Sequence, residues 1–389
     1  MKKNVLALSI ATMVGGLGLS GAAMAAPATF NVNESGAGII QIVPYFTAQD
    51  GNATVLHVVN TDTTNAKAVK IRFRGASNSD DLLDFQVFLS PGDAWTGLAN
   101  ANADGRLQLV TNDSSCTLPA SVRTDGVTLA PLDRLSNRLW DTAEKKHAQT
   151  REGYIEILEM ATIPAHTKTT GLNELETLYT AVKHVKKDGK MVAPCTAAAF
   201  TALDSVTDGK TLNATGPVEL GAPKGTLAAS WYIMNVAKST TFSGSATALA
   251  LKPTTAVPAP VAVPVYAPQK AQTGSNLETA DPLIASKIID KQDFDVPDLS
   301  TPLLATGTFT VADASTQAAN LSVALNRATV GNQFYQDAGL NAATDWVFSM
   351  PTRRYLVAAN YDAAKYTKTP VLDGVNAAGR LNSDEAIKL

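Results

Sequence analysis

Apolar and polar residues alternate along much of the chain between residues 38 and 110. The clearest run alternates three apolar with three basic residues: Val69, Lys70, Ile71, Arg72, Phe73 and Arg74. A period of two is typical of β-strands, because successive side chains point to opposite faces of a sheet. The run predicts a strand with an apolar face toward the core and a basic face toward solvent. That basic face could bind acidic polysaccharide or lipid headgroups, or be the wet side of a sheet, or keep an edge strand from pairing.

Residues that favour tight turns separate these short runs. Asp50-Gly51 and Asp104-Gly105 tolerate the positive φ that chain reversals require, and Ser90-Pro91-Gly92-Asp93 fits a type II turn. Short strands at this spacing are typical of all-β domains. We therefore predict a mainly β fold, an antiparallel Ig-like β-sandwich.

The middle of the chain changes to a helical period. One apolar stripe runs from Leu135 to Ala143. A second begins at Asn173, which together with Glu176 resembles a capping box in sequence, and it ends in a lysine-rich turn before Gly189. These signals predict two helices with a strand at 154–160 between them, and an alanine-rich run near Cys195 predicts a further short helix.

The composition of the chain changes again after Leu251. Five prolines between residues 253 and 268 interrupt a run of Ala, Val and Thr, which favours extended polyproline geometry over a central strand or a helix. The predicted organisation has four parts: a signal peptide at 1–25, a β-sandwich domain at 26–251 with a mixed helical insertion at about 113–225, a Pro-rich linker or surface crossing at 252–302, and a C-terminal β/α segment at 303–389 that could complete the sandwich.

The start of the chain predicts export. Lys2 and Lys3 precede a short apolar run that ends in Ala23-Met24-Ala25, the pattern of a cleaved secretory signal peptide. We expect an extracellular or cell-surface protein, with the periplasm as the alternative. No later segment has the roughly twenty apolar residues of a membrane span. Loss of the two lysines takes the net charge from −3 to −5, which does not favour nucleic acid as a partner.

Cys116 and Cys195 are the only cysteines in the chain. In a protein bound for an oxidising compartment, two cysteines favour one disulfide. A catalytic or metal-binding thiol is the alternative, but neither residue belongs to a CxxC motif or lies near a histidine. We predict a Cys116–Cys195 disulfide.

The remaining candidate residues give weak signals for chemistry. The four histidines, His57, His147, His166 and His184, show no metal-binding spacing, and no serine lies in a G-x-S-x-G motif. Aspartates between Asp290 and Asp298 could bind calcium or be solvated linker charge. The four tryptophans favour core packing over sugar stacking. We expect no catalytic residue, no cofactor and no resident metal.

Three motifs carry a resemblance: residues 43–54, from Val43-Pro44-Tyr45-Phe46 onward; residues 89–96, around Ser90-Pro91-Gly92-Asp93; and residues 344–355, around Trp346 and Arg353-Arg354. In their order, the chain resembles an uncharacterised family of exported proteobacterial proteins described as cell-surface proteins. The resemblance covers most of the chain after residue 25. It implies a surface or extracellular location and no particular reaction.

Three functions remain open on this basis. The first is a non-catalytic structural or interaction protein of the bacterial envelope, whose partners would be envelope proteins, further copies of itself or polysaccharide. The second is an extracellular or periplasmic protein that binds carbohydrate or another ligand. The third, a secreted hydrolase, would require His57 or His166 to converge with carboxylates in a pocket. Open strand edges would favour the first function.

Overall fold

The computed structural model describes residues 30–76, 81–129, 142–165, 177–204, 219–221 and 223–251, with isolated stretches between residues 325 and 370. Several sequence predictions lie outside the described residues: the signal peptide at 1–25, the Pro-rich crossing at 252–302, the Asp290–Asp298 cluster, and the side chains of Trp140 and His166.

Two antiparallel sheets form most of the described structure. Sheet A has seven strands, in the spatial order β1 (Phe30–Val32), β15 (Thr247–Leu251), β2 (Ile40–Thr47), β10 (Glu152–Ile163), β4 (Ala66–Gly75), β5 (Asp81–Leu89) and β8 (Cys116–Leu118). Sheet B has six, in the order β14 (Thr240–Ser245), β13 (Leu227–Asn235), β3 (Ala53–Asn60), β6 (Ala94–Ala101), β7 (Leu107–Val110) and β9 (Val127–Thr128). The prediction of a mainly β, antiparallel protein is confirmed.

The other elements are short. Two hairpins pair β11 (Val185–Lys187) with β12 (Lys190–Val192), and β16 (Val357–Asn360) with β17 (Thr367–Pro370). The helices are α1 (Ser121–Thr124), α2 (Ala143–Gln149), α3 (Leu178–Val182) and α4 (Ala197–Asp204). None of the helices in the described part of the chain is long and apolar enough to cross a membrane.

The facing sides of the two sheets share one apolar core. Phe73 and Phe85 of sheet A and Trp95 of sheet B are fully buried in it. The Phe46 and Phe73 rings meet edge to face with centroids 5.1 Å apart, and the Phe85 and Trp95 rings are 5.7 Å apart. Burial of such large side chains is the main stabilising term, at about 1.5–3 kcal/mol for each.

The basic face of β4 is buried, so the prediction that it faces solvent is wrong. Lys70, Arg72 and Arg74 are at most 2% exposed. β4 lies between β10 and β5 in sheet A, and the face with its basic residues, which also carries Ala68, lies under the apolar cluster that contains α3 and α4. Carboxylates on those neighbouring strands pair with the basic groups: Lys70 Nζ lies 3.0 Å from Asp84 Oδ2, and Arg74 Nε lies 3.2 Å from Glu156 Oε2.

A second apolar cluster covers another part of sheet A. Leu178 and Val182 of α3 and Phe200 of α4 pack on it, and the Phe200 ring meets Phe88 of β5 edge to face at 5.1 Å. The predicted Cys116–Cys195 disulfide is present in this layer and joins β8 to the segment that follows β12. The bridge therefore fastens the helical layer to the edge of sheet A.

The helix predicted from Asn173 to Gly189 is wrong in its second half. Helix α3 ends at Val182, and the chain then forms the β11–β12 hairpin. Asp188 and Gly189 make the turn of this hairpin with φ of 50° and 81°. Both residues tolerate this left-handed conformation, and that local turn replaces the continuous helix that the lysine-rich end suggested.

The predicted turns make two kinds of connection, one within a sheet and one between the two sheets. Asp104-Gly105 joins β6 to β7 as a hairpin within sheet B, whereas Asp50-Gly51 and Ser90-Pro91-Gly92-Asp93 carry the chain from sheet A to sheet B. Gly92 has a φ of 68°, as a type II turn requires. The 90–93 turn thus lies at the rim of the two sheets, beside α3.

Candidate functional site

A polar groove lies where three connections meet at this rim. The 90–93 turn, the segment before β8 and the segment from α3 to β12 enclose a volume of about 680 Å³. We call it the His184 groove. Its polar lining groups are Thr63, Ser90, Asp93, Asn112, Asp113, Ser114, Tyr179, Lys183 and His184.

His184 is the centre of a hydrogen-bond network in this groove. Its Nδ1 lies 3.1 Å from Asp93 Oδ2 and 2.6 Å from Ser90 Oγ, and its Nε2 lies 2.9 Å from Ser114 Oγ. The backbone N–H of His184 donates to Ser90 Oγ at 2.8 Å, and Ser90 Oγ donates to the Val182 carbonyl at 2.9 Å. Ser90 therefore holds Val182 and His184, the two ends of the connection that places the imidazole in the groove.

Asp93 is held as an anion by several donors. The amides of Ser90 and Ala94 donate to its two oxygens at 3.0 and 2.9 Å, and Ser115 Oγ donates at 3.3 Å. Burial acts to raise the pKa of Asp93, but the hydrogen bond and charge of His184, with these amides, outweigh it and lower that pKa below 3.8.

The Asp93 carboxylate changes the protonation of His184 in turn. The hydrogen bond from His184 to Asp93 raises the histidine pKa above 6.5; burial opposes the rise, and the nearby charge of Asp113 supports it. With a proton on Nδ1 directed at Asp93, the neutral imidazole presents Nε2 as an acceptor to the Ser114 hydroxyl. This order of groups is the one that activates a serine, although Ser114 Oγ also lies 3.1 Å from the Met191 carbonyl.

Sequence reasoning missed His184 as a site residue. His184 lies 94 residues from Ser90 and 70 from Ser114 along the chain, so no local spacing connects them. The only local signal was the 90–93 turn, whose serine and aspartate both contact the imidazole. The other described histidines lie elsewhere: His57 of β3 pairs with Thr96 Oγ1 at 2.8 Å, and His147 of α2 lies 2.8 Å from the Asp104 carbonyl.

A second candidate surface is the outer edge of β14. This strand is the end of sheet B and pairs only with β13 among the residues that the structure describes. Its sequence, TTFSGS, has no charge and no proline, and Phe242 is 61% exposed. Proteins usually protect an open edge with charge, proline, a bulge or a very short strand. β14 has none of these protections over its six residues.

The other edge strands of the two sheets are too short to offer much unpaired backbone. β1 and β8 have three residues each and β9 has two. β8 is further covered by the disulfide and by the layer of α3 and α4. Among the described edges of sheets A and B, β14 therefore offers the longest unpaired backbone.

Hydrogen bonds to neighbouring residues show which groups of β14 face outward. The Ala246 amide donates to the Ala229 carbonyl at 2.9 Å. Because the direction of the backbone groups alternates along a strand, Gly244, Phe242 and Thr240 also direct their N–H and C=O groups toward β13. Thr241, Ser243 and Ser245 must then present their N–H and C=O groups to the open edge. A second hydrogen bond agrees with this assignment. The Thr61 amide donates to the Thr226 carbonyl at 2.9 Å, so the even-numbered residues of β13 direct their backbone groups toward β3 and the odd-numbered ones toward β14.

The tryptophans divide between core and surface. Trp95 is fully buried and Trp231 packs partly buried against the core, as predicted. Trp346 instead is 43% exposed, with its ring 6.0 Å from that of Phe348. Core packing is therefore the wrong assignment for Trp346.

The described ranges hold no group of three or more His, Cys, Asp or Glu side chains placed to bind a metal ion. The two candidate surfaces of the described structure are thus the His184 groove and the β14 edge. Comparison of the chain with protein-family models, with curated proteins and with solved structures finds no match.

Proposed function

We propose that this protein is a non-catalytic structural or interaction protein of the bacterial envelope, exported to the cell surface or the extracellular space. The observation that carries the proposal is the open β14 edge. This strand of six uncharged residues pairs with β13 on one side, and its other edge, which has no pairing strand in the described part of the chain, offers main-chain donors and acceptors to a further strand, a common mode of protein recognition. The apolar Phe242 side chain at this edge would add contact area for a partner.

The fold that we propose with this role is an Ig-like β-sandwich. Two antiparallel sheets that share one core, with a buried tryptophan between them, support this assignment. The disulfide, which fastens the helical layer to sheet A, suits a rigid scaffold in an oxidising compartment.

Fractionation of a culture tests this role. The wild-type chain and a Ser243→Pro variant are expressed in a bacterium that exports them, and each is measured in the cell-surface, sedimenting and soluble extracellular fractions. Proline at residue 243 removes an N–H that faces the open edge and leaves the bonds to β13 intact, as edge strands allow. We expect the wild type on cells or in assemblies larger than a monomer, and the variant largely as a soluble monomer.

The matched control for this experiment is Ser243→Thr, which keeps the N–H and should fractionate as the wild type does. If all three proteins occur only as soluble periplasmic monomers, the proposal is wrong. Near-ultraviolet circular dichroism of the purified variants checks that each retains the packed core.

The His184 groove supports a second candidate function, a serine hydrolase. In such a reaction, Ser114 Oγ would attack an ester carbonyl while its proton passes to His184 Nε2, and that proton would leave with the alcohol. Water would then give a proton to the same Nε2 and attack the acyl-serine, and the acid would leave as Ser114 Oγ regains its proton. The distances of 2.9 Å from Nε2 to Ser114 Oγ and 3.1 Å from Nδ1 to Asp93 Oδ2 favour this candidate. The 2.6 Å contact between Ser90 Oγ and Nδ1 favours a structural role instead.

A fluorophosphonate probe separates the two roles of the groove. A hydrolase would be labelled at Ser114, and both Ser114→Ala and His184→Gln would abolish the labelling. A non-catalytic protein would show no labelling above that of the Ser114→Ala variant, which is the result we expect. Specific labelling of Ser114 would contradict the proposed non-catalytic role.

A further inference from the structure

We infer that β14 pairs with the β14 strand of a second copy of this chain, antiparallel about a two-fold axis at Ser243. The inference rests on the proposed role of the β14 edge and names the partner for it. Homodimers with two-fold symmetry are the commonest protein assemblies, and two antiparallel edge strands meet about such an axis.

The backbone alternation fixes the register of this pairing. Thr241, Ser243 and Ser245 present their N–H and C=O groups outward. An antiparallel pair of identical strands can satisfy all of these groups when Ser243 lies opposite Ser243 of the second copy. Thr241 of each chain then lies opposite Ser245 of the other, and the interface contains about six main-chain hydrogen bonds.

The side chains fit this register. Phe242 comes to lie opposite Gly244 of the second copy, and both residues point to the face that carries Trp231. The Trp231 ring covers Gly244, because a Cβ at that glycine would lie 3.0 Å from Trp231 Cζ2. Each Phe242, now 61% exposed, would therefore contact the glycine and the indole edge of the other chain.

The charge and the ends of the sheet also favour a closed pair of identical chains. β14 has no charged side chain, so self-pairing places no like charges opposite each other. The far edge of sheet B is β9, which has only two residues. Sheet B therefore grows by one partner at β14 and does not extend further, which predicts a dimer and not a filament.

Engineered cysteines test both the partner and the register. In the inferred dimer the two Ser243 Cα atoms are roughly 5.5 Å apart and the side chains share a face, within the range for a disulfide. The two Thr241 Cα atoms are about 14 Å apart, because four residues separate them along the strands. Mild oxidation of Ser243→Cys should give at least about tenfold more covalent dimer than oxidation of Thr241→Cys.

Mixed chains give a second readout of the register. Thr241→Cys mixed with Ser245→Cys should form a covalent heterodimer, whereas either variant alone should not. Sedimentation equilibrium of the wild-type chain over a concentration series should show a monomer–dimer equilibrium, and Ser243→Pro should abolish it. Circular dichroism of each variant verifies that it is folded.

The outcomes separate failure of this inference from failure of the proposed function. A wild type that stays monomeric at every concentration, with equal crosslinking of Ser243→Cys and Thr241→Cys, overturns self-pairing. If Ser243→Pro still releases the protein from the cell surface in that case, the edge binds a different envelope component and the proposed function stands. If Ser243→Pro changes neither measurement, self-pairing is overturned, and the β14 edge is not the surface through which the protein binds the envelope.

Discussion

At the scale of single residues, His184 and Asp93 make the protein sensitive to pH. The raised pKa of His184 means that its contribution to stability is complete below 6.5 and is lost as the pH rises through the raised value. The lowered pKa of Asp93 has the opposite sign, so its contribution is present above 3.8 and is lost as the pH falls through the lowered value. Asp113 and Lys183 are the other charged groups that line the groove.

We therefore predict that the free energy of unfolding falls as the pH rises from 6.5 through the raised pKa of His184, and that His184→Gln removes this fall. At about pH 6 the substitution should lower the free energy of unfolding by about 1–2 kcal/mol, because a charged hydrogen bond in a partly open groove is lost. Urea denaturation at a series of pH values measures both effects.

His147→Gln is the matched control for this prediction. His147 lies on α2, and its Nδ1 contacts only the Asp104 carbonyl among the groups described here. The control should keep the pH dependence of the wild type. If His184→Gln retains that dependence as well, the fall in stability has its origin in another group.

At the scale of elements, close packing between neighbouring strands limits which residues each position accepts. Gly153 of β10 lies directly opposite Gly75 of β4 in the register of sheet A. A Cβ at Gly153 would lie 1.7 Å from the Arg74 carbonyl oxygen, whereas the nearest atoms to a Cβ at Gly75 would belong to the Leu82 side chain, at 3.5 Å or more. The two positions therefore differ in whether they can accept a larger side chain: Gly75 can and Gly153 cannot.

Gly153→Ala should lower the free energy of unfolding by at least about 3 kcal/mol, because β10 and β4 cannot keep their register around the added methyl group. Gly75→Ala should change it by no more than about 1 kcal/mol, because its contact is an ordinary one. Thermal or urea denaturation of both variants measures the difference. Equal effects at the two positions would contradict the close approach of Gly153 to the Arg74 carbonyl.

The elements also show what local sequence can predict. The alternation in residues 69–74 correctly predicts strand β4 and its apolar face, because that face follows from a period of two alone. The same pattern cannot show that Lys70 and Arg74 are buried, because their carboxylate partners lie on other strands: Asp84 of β5, 14 residues away, and Glu156 of β10, 82 residues away. The helix predicted up to Gly189 is too long for a related reason: its apolar stripe includes Val185, whereas the chain leaves the helix after Val182 and pairs Val185 with Val192 across the Asp188-Gly189 turn.

At the scale of the whole molecule, the disulfide connects the candidate groove to the scaffold. Cys116 begins β8, and Cys195 follows β12 in the segment that also contains α3 and His184. The Cys195 amide donates to the Ala181 carbonyl at 2.8 Å, three residues before His184. The cysteine pair could be predicted from the compartment and the cysteine count, but the groove could not, because it forms only when this layer docks on sheet A.

We predict that Cys116→Ala with Cys195→Ala lowers the free energy of unfolding by about 2–4 kcal/mol, because a bridge across 79 residues no longer restricts the unfolded chain. The same double variant should shift the pKa of His184 back toward 6.5, because a loosened layer holds the imidazole less firmly against Asp93. Urea denaturation measures the first effect and NMR titration of the imidazole the second. The reduced wild type is the control and should match the variant in both. If stability falls while the His184 pKa is unchanged, the groove is held by Ser90 and Asp93 alone, and the disulfide acts only on the unfolded chain.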